Sequence, residues 1–431
     1  MATRAPFLKT RFSGYLHRQV PPEDSELTHV GPDTPCGEYM RRFWNPVCFS
    51  DELTDLPKRV RILGEDLVVF RDGSGSVGLL ELHCPHRGTS LEFGLVGEKG
   101  IRCCYHGWLF GVDGTILETP GEPASSTLKS RLFHGAYPVH EAHGLVFAYM
   151  GPPAEKPPFP SYDSLIRPGY RVIPGQKYFY PCNWLQIQDN TMDPTHTAFL
   201  HTIVSGAMFT EEFGVLPELD YLETPIGMIY VATRRVGDNV WARMVETVLP
   251  NLQQVAPIWE NGRREHGFSG PMMSRWLVPI DDTNTMFIEL RHVSETEGEE
   301  TPAWWADRAQ MLPGQVAADT YEEGQRRPGD YEAQVSQRPV AIHGLEHLSE
   351  TDRGISMFRK MMRRGIRAVE SGRDPEGVFR DSAVIPTYCN NTVLHMPPAA
   401  TEAADKKMMR NAGMRLARSY LNAPPLMMAA E

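Results

Sequence analysis

The stretch HCPHRGTSLEFGLVGEKGIRCCYHGW, which runs from His83 to Trp108, carries the strongest structural signal in the chain. It contains a Cys-x-His pair, sixteen further residues and then a Cys-x-x-His pair. Gly88 and Gly107 follow the two pairs, and glycine permits the tight backbone turns that bring paired side chains together. Two such pairs on two turns can close around a metal centre. The candidate metal ligands are Cys84, His86, Cys103 and His106.

The spacing of these pairs leaves two kinds of metal site to consider. A C-x-H pair is shorter than the pairings usual in zinc fingers, and it lies among strand-like residues rather than before a helix. Two thiolates and two neutral imidazoles instead suit a [2Fe–2S] cluster in which one iron takes two sulfurs and the other takes two nitrogens. The stretch resembles the Rieske motif. This resemblance implies a Rieske [2Fe–2S] cluster, with zinc as the alternative.

A second candidate site lies downstream in NWLQIQDNTMDPTHTAFLH, from Asn183 to His201. The pattern predicts a helix, and it contains Asp193, His196 and His201 in a D-x-x-H-x4-H arrangement. Two histidines five positions apart on an ideal helix point about 140° away from each other, so one metal can bind both only where the helix is locally loosened. Two histidines and a carboxylate that leave open positions are typical of non-haem Fe(II) oxygenases. Two structural histidines are the alternative.

Together the two motifs resemble those of the α subunits of Rieske non-haem iron aromatic-ring-hydroxylating oxygenases, of the phthalate 4,5-dioxygenase and phenoxybenzoate dioxygenase type. The resemblance extends from about Glu26 to about Pro375. It implies that His196 and His201 are ligands of a mononuclear Fe(II). It also implies an α+β fold, in which a small antiparallel β Rieske domain precedes a larger catalytic domain with an antiparallel sheet flanked by helices, of the helix-grip type.

In this family the third iron ligand is a later aspartate, within a Q-D-x-A-x-x-E-S stretch. The segment GDYEAQVS matches this pattern in part, and the resemblance implies Asp330 as the ligand. The segment departs from the family pattern at Gly329, Glu332 and Val335. Asp319 and Asp307 therefore remain alternatives.

The resemblance also assigns a role to Asp193. In the family this aspartate bridges to a Rieske histidine of the neighbouring subunit, and members of this type form head-to-tail α3 rings without a β subunit. A homotrimer is therefore implied, in which electrons pass from His106 through Asp193 of the next subunit to His196. A plain helix cap is the alternative role for Asp193.

The sequence contains no recognisable module that could collect electrons from a nicotinamide cofactor. Its GSGSVG string, from Gly73 to Gly78, joins two predicted strands and indicates a hairpin turn, and no C-x4-C-x2-C ferredoxin loop occurs. We therefore expect a separate partner, either an NAD(P)H-dependent reductase with flavin and a [2Fe–2S] centre or a ferredoxin.

The substrate is predicted only through the family. Members of the phthalate-like branch act mostly on aromatic carboxylates, so the resemblance implies an aromatic acid and O2 as substrates. Arg243 and Arg291 lie in predicted strands and are candidates to bind the carboxylate, with exposed strand residues as the alternative. The expected reaction is ring dihydroxylation, or O-demethylation of a methoxyaryl or diaryl acid. An electron-transfer Rieske protein without oxygenase activity is the alternative function.

The rest of the chain divides around these motifs. Strand-like runs separated by turns extend from about Gly37 to Met150, and the proline-rich segment from Pro152 to Asp163 is typical of a linker. We predict an N-terminal arm over 1–36, a Rieske domain over 37–155 and a catalytic domain over 156–431. Further strands are expected near 228–234, 240–249 and 285–293, and helices near 303–326, 352–372 and 401–420.

The predicted helix over 352–372 combines an apolar stripe with a basic face. Apolar residues recur at three- and four-residue steps from Ile355 to Val369, Asp352 is placed to cap the helix and Gly372 to end it. The basic face is either a solvated surface or a docking patch for an acidic electron carrier, with nucleic acid as a remoter alternative. Its members are Arg359, Lys360, Arg363, Arg364 and Arg367.

Composition excludes several classes of protein. An apolar fraction of 41% and a charged fraction of 23% are ordinary for a folded chain of 431 residues. The formal charge, 43 − 54 = −11, gives no general attraction for nucleic acid, and no apolar stretch is long enough to span a membrane. The seven scattered cysteines suit a reducing compartment, so we expect a cytoplasmic protein.

Overall fold

The computed structural model describes residues 10–13, 22–258, 265–295, 305, 307–309 and 311–425. The rest of the predicted N-terminal arm and part of the helix predicted over 303–326 lie outside the described residues. Within the described ranges, no helix combines the length and the apolar character that crossing a bilayer requires.

Short antiparallel strands build the part of the chain that contains the Cys–His loops. The strands are β1 (Trp44–Phe49), β2 (Lys58–Ile62), β3 (Glu65–Arg71), β4 (Val77–Glu81), β5 (Leu95–Val96), β6 (Ile101–Arg102), β7 (Leu109–Phe110), β8 (Ile116–Glu118), β9 (Val139–Ala142) and β10 (Leu145–Tyr149). They form three sheets, ordered β1-β10-β9, β2-β3-β4 and β5-β6-β7-β8. The GSGSVG string spans the turn from β3 into β4, so the predicted hairpin is confirmed.

A nine-stranded antiparallel sheet forms the centre of the second half. The strands of this half are β11 (Ser161–Tyr162), β12 (Tyr170–Tyr180), β13 (Glu218–Thr224), β14 (Gly227–Val236), β15 (Asn239–Val248), β16 (Leu252–Val255), β17 (His266–Ser269), β18 (Met273–Asp281), β19 (Asn284–Ser294), β20 (Val384–Ile385) and β21 (Asn390–His395). The main path runs β12-β19-β18-β16-β15-β14-β13, with β21 on β15 and β17 on β21. A separate parallel pair joins β11 and β20.

Helices pack around both halves. They are α1 (Ser25–Thr28), α2 (Pro35–Met40), α3 (Leu128–Arg131), α4 (Trp184–Thr191), α5 (His196–Ala198), α6 (Tyr321–Arg326), α7 (Asp330–Val335), α8 (Arg353–Glu370) and α9 (Glu402–Asn422). Helix α8 packs against α2 and β14, and its apolar stripe is buried as predicted, with Val369 partly buried at its end. Helix α9 packs against β13, β14 and β15. Helices therefore flank an antiparallel sheet, as the α+β prediction required.

The large sheet has two chemically different faces, because successive side chains of a strand point to opposite sides. In β14, Arg234 donates to Thr197 of α5, whereas its neighbour Thr233 lies against Gly413 of α9. Directly paired residues of adjacent strands share a face, so the face of Arg234 continues across the sheet. We call it the inner face; it includes Trp241, Thr247, Gln253, Arg275, Leu277, Phe287 and Glu289.

Two local predictions are wrong. Within the described residues, the helix predicted over 303–326 is reduced to α6, because Pro313 and Gly314 interrupt it and Gly314 has a φ of +72°. Asp352 does not cap α8, since its carboxylate accepts from the backbone N–H of Ser349 in the preceding turn. Gly372, with a φ of +69°, ends that helix as predicted.

The basic face of α8 is neutralised within the chain. Arg359 is buried, which contradicts the prediction of a fully solvated face. The ion pairs join Arg359 to Asp189 and Glu346, Arg363 to Asp24 and Glu26, Arg364 to Glu223 and Glu376, and Arg367 to Glu26 and Glu370. Four of the five cations already have acidic partners, so this face is not the free cationic patch that a docking role requires.

The contact between α2 and α8 generates a stability prediction. A Cβ added at Gly365 would lie 2.3 Å from a ring atom of Tyr39, which is fully buried. We expect Gly365→Ala to destabilise the protein by about 1–3 kcal/mol through overpacking, despite the better helix propensity of alanine. The thermal unfolding midpoint should fall relative to wild type. The exposed Ser356→Ala of the same helix is the control and should leave it unchanged.

Candidate metal centres

The two Cys–His loops share one backbone conformation. In each loop the cysteine N–H donates to the carbonyl five residues on, and a glycine N–H four residues on donates to the cysteine carbonyl, at distances of 2.8–3.0 Å. These glycines, Gly88 and Gly107, both have a φ of +74°, which a side chain would oppose. Cys84 and Cys103 are buried, whereas His86 is exposed and His106 partly exposed. The loops thus hold sulfur inside and imidazole outside.

The four candidate ligands form two pairs rather than one tight group. The Cys84 and Cys103 thiols lie within hydrogen-bonding reach, and the ring centroids of His86 and His106 are 4.4 Å apart. In the described part of the chain, two sets of ligand atoms lie within 4.8 Å of one another, and these residues do not form either set. One zinc ion would draw all four atoms together, because its bonds measure about 2.0–2.3 Å. A sulfur pair beside a nitrogen pair fits a Rieske cluster.

The protonation of Cys84 agrees with a metal centre. Burial raises the pKa of the Cys84 thiol to about 11, so water alone would leave it protonated at neutral pH. A bound metal deprotonates its thiol ligands. The buried thiol therefore suits the role of a cluster ligand better than that of a free thiolate.

The second motif adopts the loosened helix that its spacing requires. Helix α4 ends at Thr191, and Pro194 separates it from α5, which begins at His196. The following segment, Phe199–Val204, is a π-helix and contains His201. A π-helix bonds residue i to i+5, which brings positions five apart toward one side. The two imidazole centroids lie 5.2 Å apart, so the predicted local loosening is confirmed.

Asp330 completes a triad with the two histidines. Its Oδ1 lies 3.8 Å from His196 Nε2 and 3.4 Å from His201 Nε2, and α7 begins at this aspartate. The other ring nitrogens are engaged, because His196 Nδ1 meets the Asp193 carbonyl and His201 Nδ1 lies 3.4 Å from Met208 Sδ. Both Nε2 atoms therefore face the carboxylate. The alternative aspartates, Asp307 and Asp319, are exposed.

The electrostatics of the triad favour metal binding. Burial lowers the pKa of His196, which keeps its imidazole neutral and able to ligate. Burial alone would raise the pKa of Asp330, but facing His201 and His196 and a hydrogen bond from Gln315 hold it below its usual range. Two neutral imidazoles and an ionised carboxylate form the ligand set of a non-haem ferrous site that keeps open positions.

Asp193 lies on the outer side of His196. Its Oδ1 accepts from the backbone N–H of Thr195 at 2.8 Å, and its Oδ2 is 3.8 Å from His196 Nδ1. The side chain remains 26% exposed. Among the described residues, no hydrogen bond or ion pair joins Asp193 to His86 or His106.

Arg243 and Arg291 are both buried, so the exposed-strand alternative is wrong. Arg243 donates to the hydroxyl of Tyr230 at 2.6 Å and to two backbone carbonyls of the 256–257 segment. Arg291 pairs with Glu289 at 2.9 Å and donates to backbone carbonyls of the 305–307 region. Each guanidinium thus makes internal contacts that stabilise the sheet.

Three supporting residues were missed by the sequence analysis. Gln315 Nε2 donates to Asp330 Oδ2 at 2.5 Å, and Asn190 Nδ2 donates to Asp330 Oδ1 at 3.2 Å. Arg234 Nη2 donates to Thr197 Oγ1 at 2.8 Å and so ties the residue after His196 to the sheet. Asn190 lies within the second motif, so its supporting role could have been predicted. Gln315 and Arg234 are distant in sequence and reach the site only through tertiary contacts.

Comparison with known proteins agrees with both centres. A family model described as the Rieske [2Fe-2S] domain matches residues 43–131. The oxygenase subunit of tert-butanol monooxygenase / tert-amyl alcohol desaturase from Aquincola tertiaricarbonis is 45% identical, over 94% of this chain and 90% of the relative. The chain belongs to the Rieske non-haem iron oxygenases. The α subunit of phenoxybenzoate dioxygenase from Ectopseudomonas oleovorans is 40% identical, over 89% and 94% of the two chains.

Membership settles the cofactors and the class of enzyme. Rieske non-haem iron oxygenases carry a [2Fe–2S] cluster and a mononuclear iron, and the relatives are O2-using oxidoreductases by name. The family resemblance predicted from the motifs is therefore confirmed, and the electron-transfer alternative is not favoured. The carbazole-bound oxygenase–ferredoxin complex of carbazole 1,9a-dioxygenase has the same fold, with a TM-score of 0.56 and 20% identity over 78% of this chain and 95% of that chain.

The triad generates a prediction about iron content. We expect Asp330→Asn to lower the occupancy of the mononuclear iron site by roughly 10-fold or more, because the amide removes the charge that faces both imidazoles. Iron and acid-labile sulfide measured on the purified protein should show a cluster that stays intact. Asp319→Asn, at an exposed alternative ligand, is the matched control and should keep both centres. Full iron retention in Asp330→Asn together with loss in Asp319→Asn would reverse the assignment.

Proposed function

We propose that this chain is the terminal oxygenase component of a multicomponent system that oxygenates an aromatic carboxylate with O2 and externally supplied electrons. The observation that carries the proposal is the convergence of His196, His201 and Asp330, with Oδ1 to Nε2 distances of 3.4 and 3.8 Å. The phenoxybenzoate dioxygenase relative, at 40% identity, supports an aromatic acid as the substrate class. The reaction is ring dihydroxylation or O-demethylation.

In this proposal His196, His201 and Asp330 would hold the iron. Bound iron supplies the activation of O2 at its open coordination positions. Gln315 and Asn190 fix the carboxylate of Asp330 by donating to its two oxygens, and the Asp193 carbonyl fixes the tautomer of His196. Such outer contacts hold the ligand atoms in place as substrate and O2 enter.

Asp193 is proposed to connect two subunits of an α3 ring. His86 and His106 present their rings at the surface, and Asp193 combines partial exposure with proximity to His196 Nδ1. A carboxylate between His106 and His196 of adjacent subunits would orient both imidazoles and couple the two metal centres.

The electron donor and the setting complete the proposal. A separate NAD(P)H-dependent reductase with flavin and a [2Fe–2S] centre, or a ferredoxin, is proposed to reduce the cluster in the cytoplasm. The proposed division into an arm over 1–36, a Rieske domain over 37–155 and a catalytic domain over 156–431 is supported by the family match over 43–131.

A tertiary alcohol is the second candidate substrate. The relative with 45% identity is named for tert-butanol and tert-amyl alcohol, which carry no charge and no ring. An alcohol-binding site needs an apolar pocket and a hydrogen-bond partner, whereas a carboxylate also needs a cation. The charge of the substrate therefore separates the two candidates.

A single-turnover experiment tests the proposed function. The purified, chemically reduced protein is mixed with 18O2 and a panel of aryl carboxylates and tertiary alcohols, and products are identified by mass spectrometry. Two labelled oxygens in a dihydrodiol would support ring dihydroxylation. One labelled oxygen with loss of methyl as formaldehyde would support O-demethylation. Products from the alcohols alone would refute the carboxylate proposal.

The intersubunit bridge generates a kinetic prediction. We expect Asp193→Asn to retain both metal centres while steady-state turnover falls about 10- to 100-fold, because the neutral amide no longer orients two imidazoles. Stopped-flow absorbance of the reduced cluster in the presence of O2 and substrate should show slowed reoxidation. Asp238→Asn, an exposed aspartate in the β14–β15 turn, is the control. Wild-type reoxidation in Asp193→Asn would refute the bridge.

A further inference from the structure

The sequence around Asp330 departs from the family pattern at three positions, and two of these positions contact the same stretch of chain. Gly329 precedes α7, and Glu332 lies in its first turn. Both contact residues 314–318, which we call the crossing segment because it passes the start of α7. The two departures are therefore connected through one tertiary contact, and that contact lies directly beside the carboxylate of the triad.

Gly329 permits the close approach of the crossing segment. A Cβ added at Gly329 would lie 2.3 Å from the Cα of Gly314, and a Cβ added at Gly314 would lie 2.9 Å from the Cα of Gly329. These are backbone atoms, which cannot turn aside as a side chain can. The backbone N–H of Tyr331 also donates to the Gly314 carbonyl at 3.0 Å. The glutamine of the family pattern therefore has no space at position 329 while the two backbones cross here.

Glu332 binds the other end of the crossing segment. Its Oε1 accepts from the backbone N–H of Ala318 at 3.0 Å, and its Oε2 accepts from the backbone N–H of Gly329 at 2.9 Å. The alanine of the family pattern has no side-chain acceptor to offer at this position. Contacts at Gly314 and at Ala318 thus hold the crossing segment at both ends against the start of α7.

Gln315 lies between these two contacts, and its side chain reaches Asp330. The residue is buried, and the Tyr180 hydroxyl donates to its backbone carbonyl at 2.9 Å. Its Nε2 donates to Asp330 Oδ2 at 2.5 Å, whereas Asp330 Oδ1 lies 3.4 and 3.8 Å from the Nε2 atoms of the two facing imidazoles. Oδ1 also accepts from Asn190 Nδ2 at the longer distance of 3.2 Å. The two oxygens of the carboxylate therefore have different surroundings, and the amide of Gln315 restrains the carboxylate from turning.

We propose that Gln315 is a positioning residue of the iron site, which holds Oδ2 of Asp330 and so leaves Oδ1 as the oxygen that this ligand offers to the metal. The crossing segment brings the amide to the carboxylate, and the residues at positions 329 and 332 fix the crossing segment in place. A carboxylate that binds through one oxygen occupies one coordination position and leaves the others open. The two departures from the family pattern are thus the local changes that accommodate Gln315.

Iron binding and spectroscopy test this role without turnover. Gln315→Met keeps the length of the side chain and removes the donor. In the full-length protein with its cluster intact, the mononuclear iron is removed by chelation and returned by anaerobic Fe(II) titration, and the nitric oxide complex of the refilled site is recorded by EPR. We expect Fe(II) affinity to fall about 10- to 100-fold and the EPR signal of the site to change, because the carboxylate is free to turn. Gln337→Met, at an exposed glutamine just beyond α7, is the matched control.

A second variant tests the role of the crossing segment. Glu332→Ala introduces the residue of the family pattern and releases the backbone N–H of Ala318, so we expect the same EPR change with a smaller loss of Fe(II) affinity than in Gln315→Met.

The two measurements together decide the outcome. Weaker Fe(II) binding with a changed EPR signal in Gln315→Met, and neither in Gln337→Met, supports the proposal. Wild-type affinity in Gln315→Met, or weaker binding with an unchanged signal, overturns it, because a merely structural role would leave the refilled site as it was. Should Gln315→Met lose its cluster absorbance, Glu332→Ala decides, and wild-type affinity and signal in that variant overturn the proposal. Neither measurement contains a substrate, so failure of the aryl carboxylate proposal would leave this inference standing.

Discussion

A carboxylate buried against two imidazoles is the interaction on which the catalytic half depends. Removing Asp330 from water costs free energy unless donors or positive charge compensate. Gln315 and Asn190 supply one hydrogen bond to each oxygen, and the remaining compensation falls to a bound cation. The local irregularities follow from this requirement, because the helix must loosen at Phe199–Val204 to turn His201 inward.

Local spacing predicted the metal centres, and tertiary contact determined the rest. Each Cys–His pair lies within one turn, so local spacing alone predicted the four candidate cluster ligands. The five-residue step between His196 and His201 likewise predicted a departure from the α-helix. Asp330 came only from the family resemblance, because nothing in its own spacing relates it to the histidines. Gln315 could not be predicted, since its contact arises where Gly314 passes Gly329 at a distance that no Cβ would permit.

The wrong predictions share a cause, which is that periodicity describes one element at a time. The prediction of a helix over 303–326 did not take account of Pro313 and Gly314. Gly314 packs so closely against Gly329, the residue before α7, that it has no space for a side chain. The basic face of α8 was predicted to be either solvated or a docking patch because most of the acidic residues that pair with it belong to other elements. Asp189 of α4 and Glu346 bury Arg359 between them and so tie α8 to the helix that leads to the iron ligands.

The arginines of the inner face show which contacts strand alternation reveals and which depend on tertiary structure. Because side chains alternate along a strand, Glu289 and Arg291, two positions apart, lie on one side of β19. Their ion pair could therefore have been predicted from the sequence. The register with β18 could not, because the pairing of strands depends on tertiary structure. It places Arg275 directly opposite Glu289, whose Oε1 already accepts from Arg291 Nε and from the backbone N–H of Gln176.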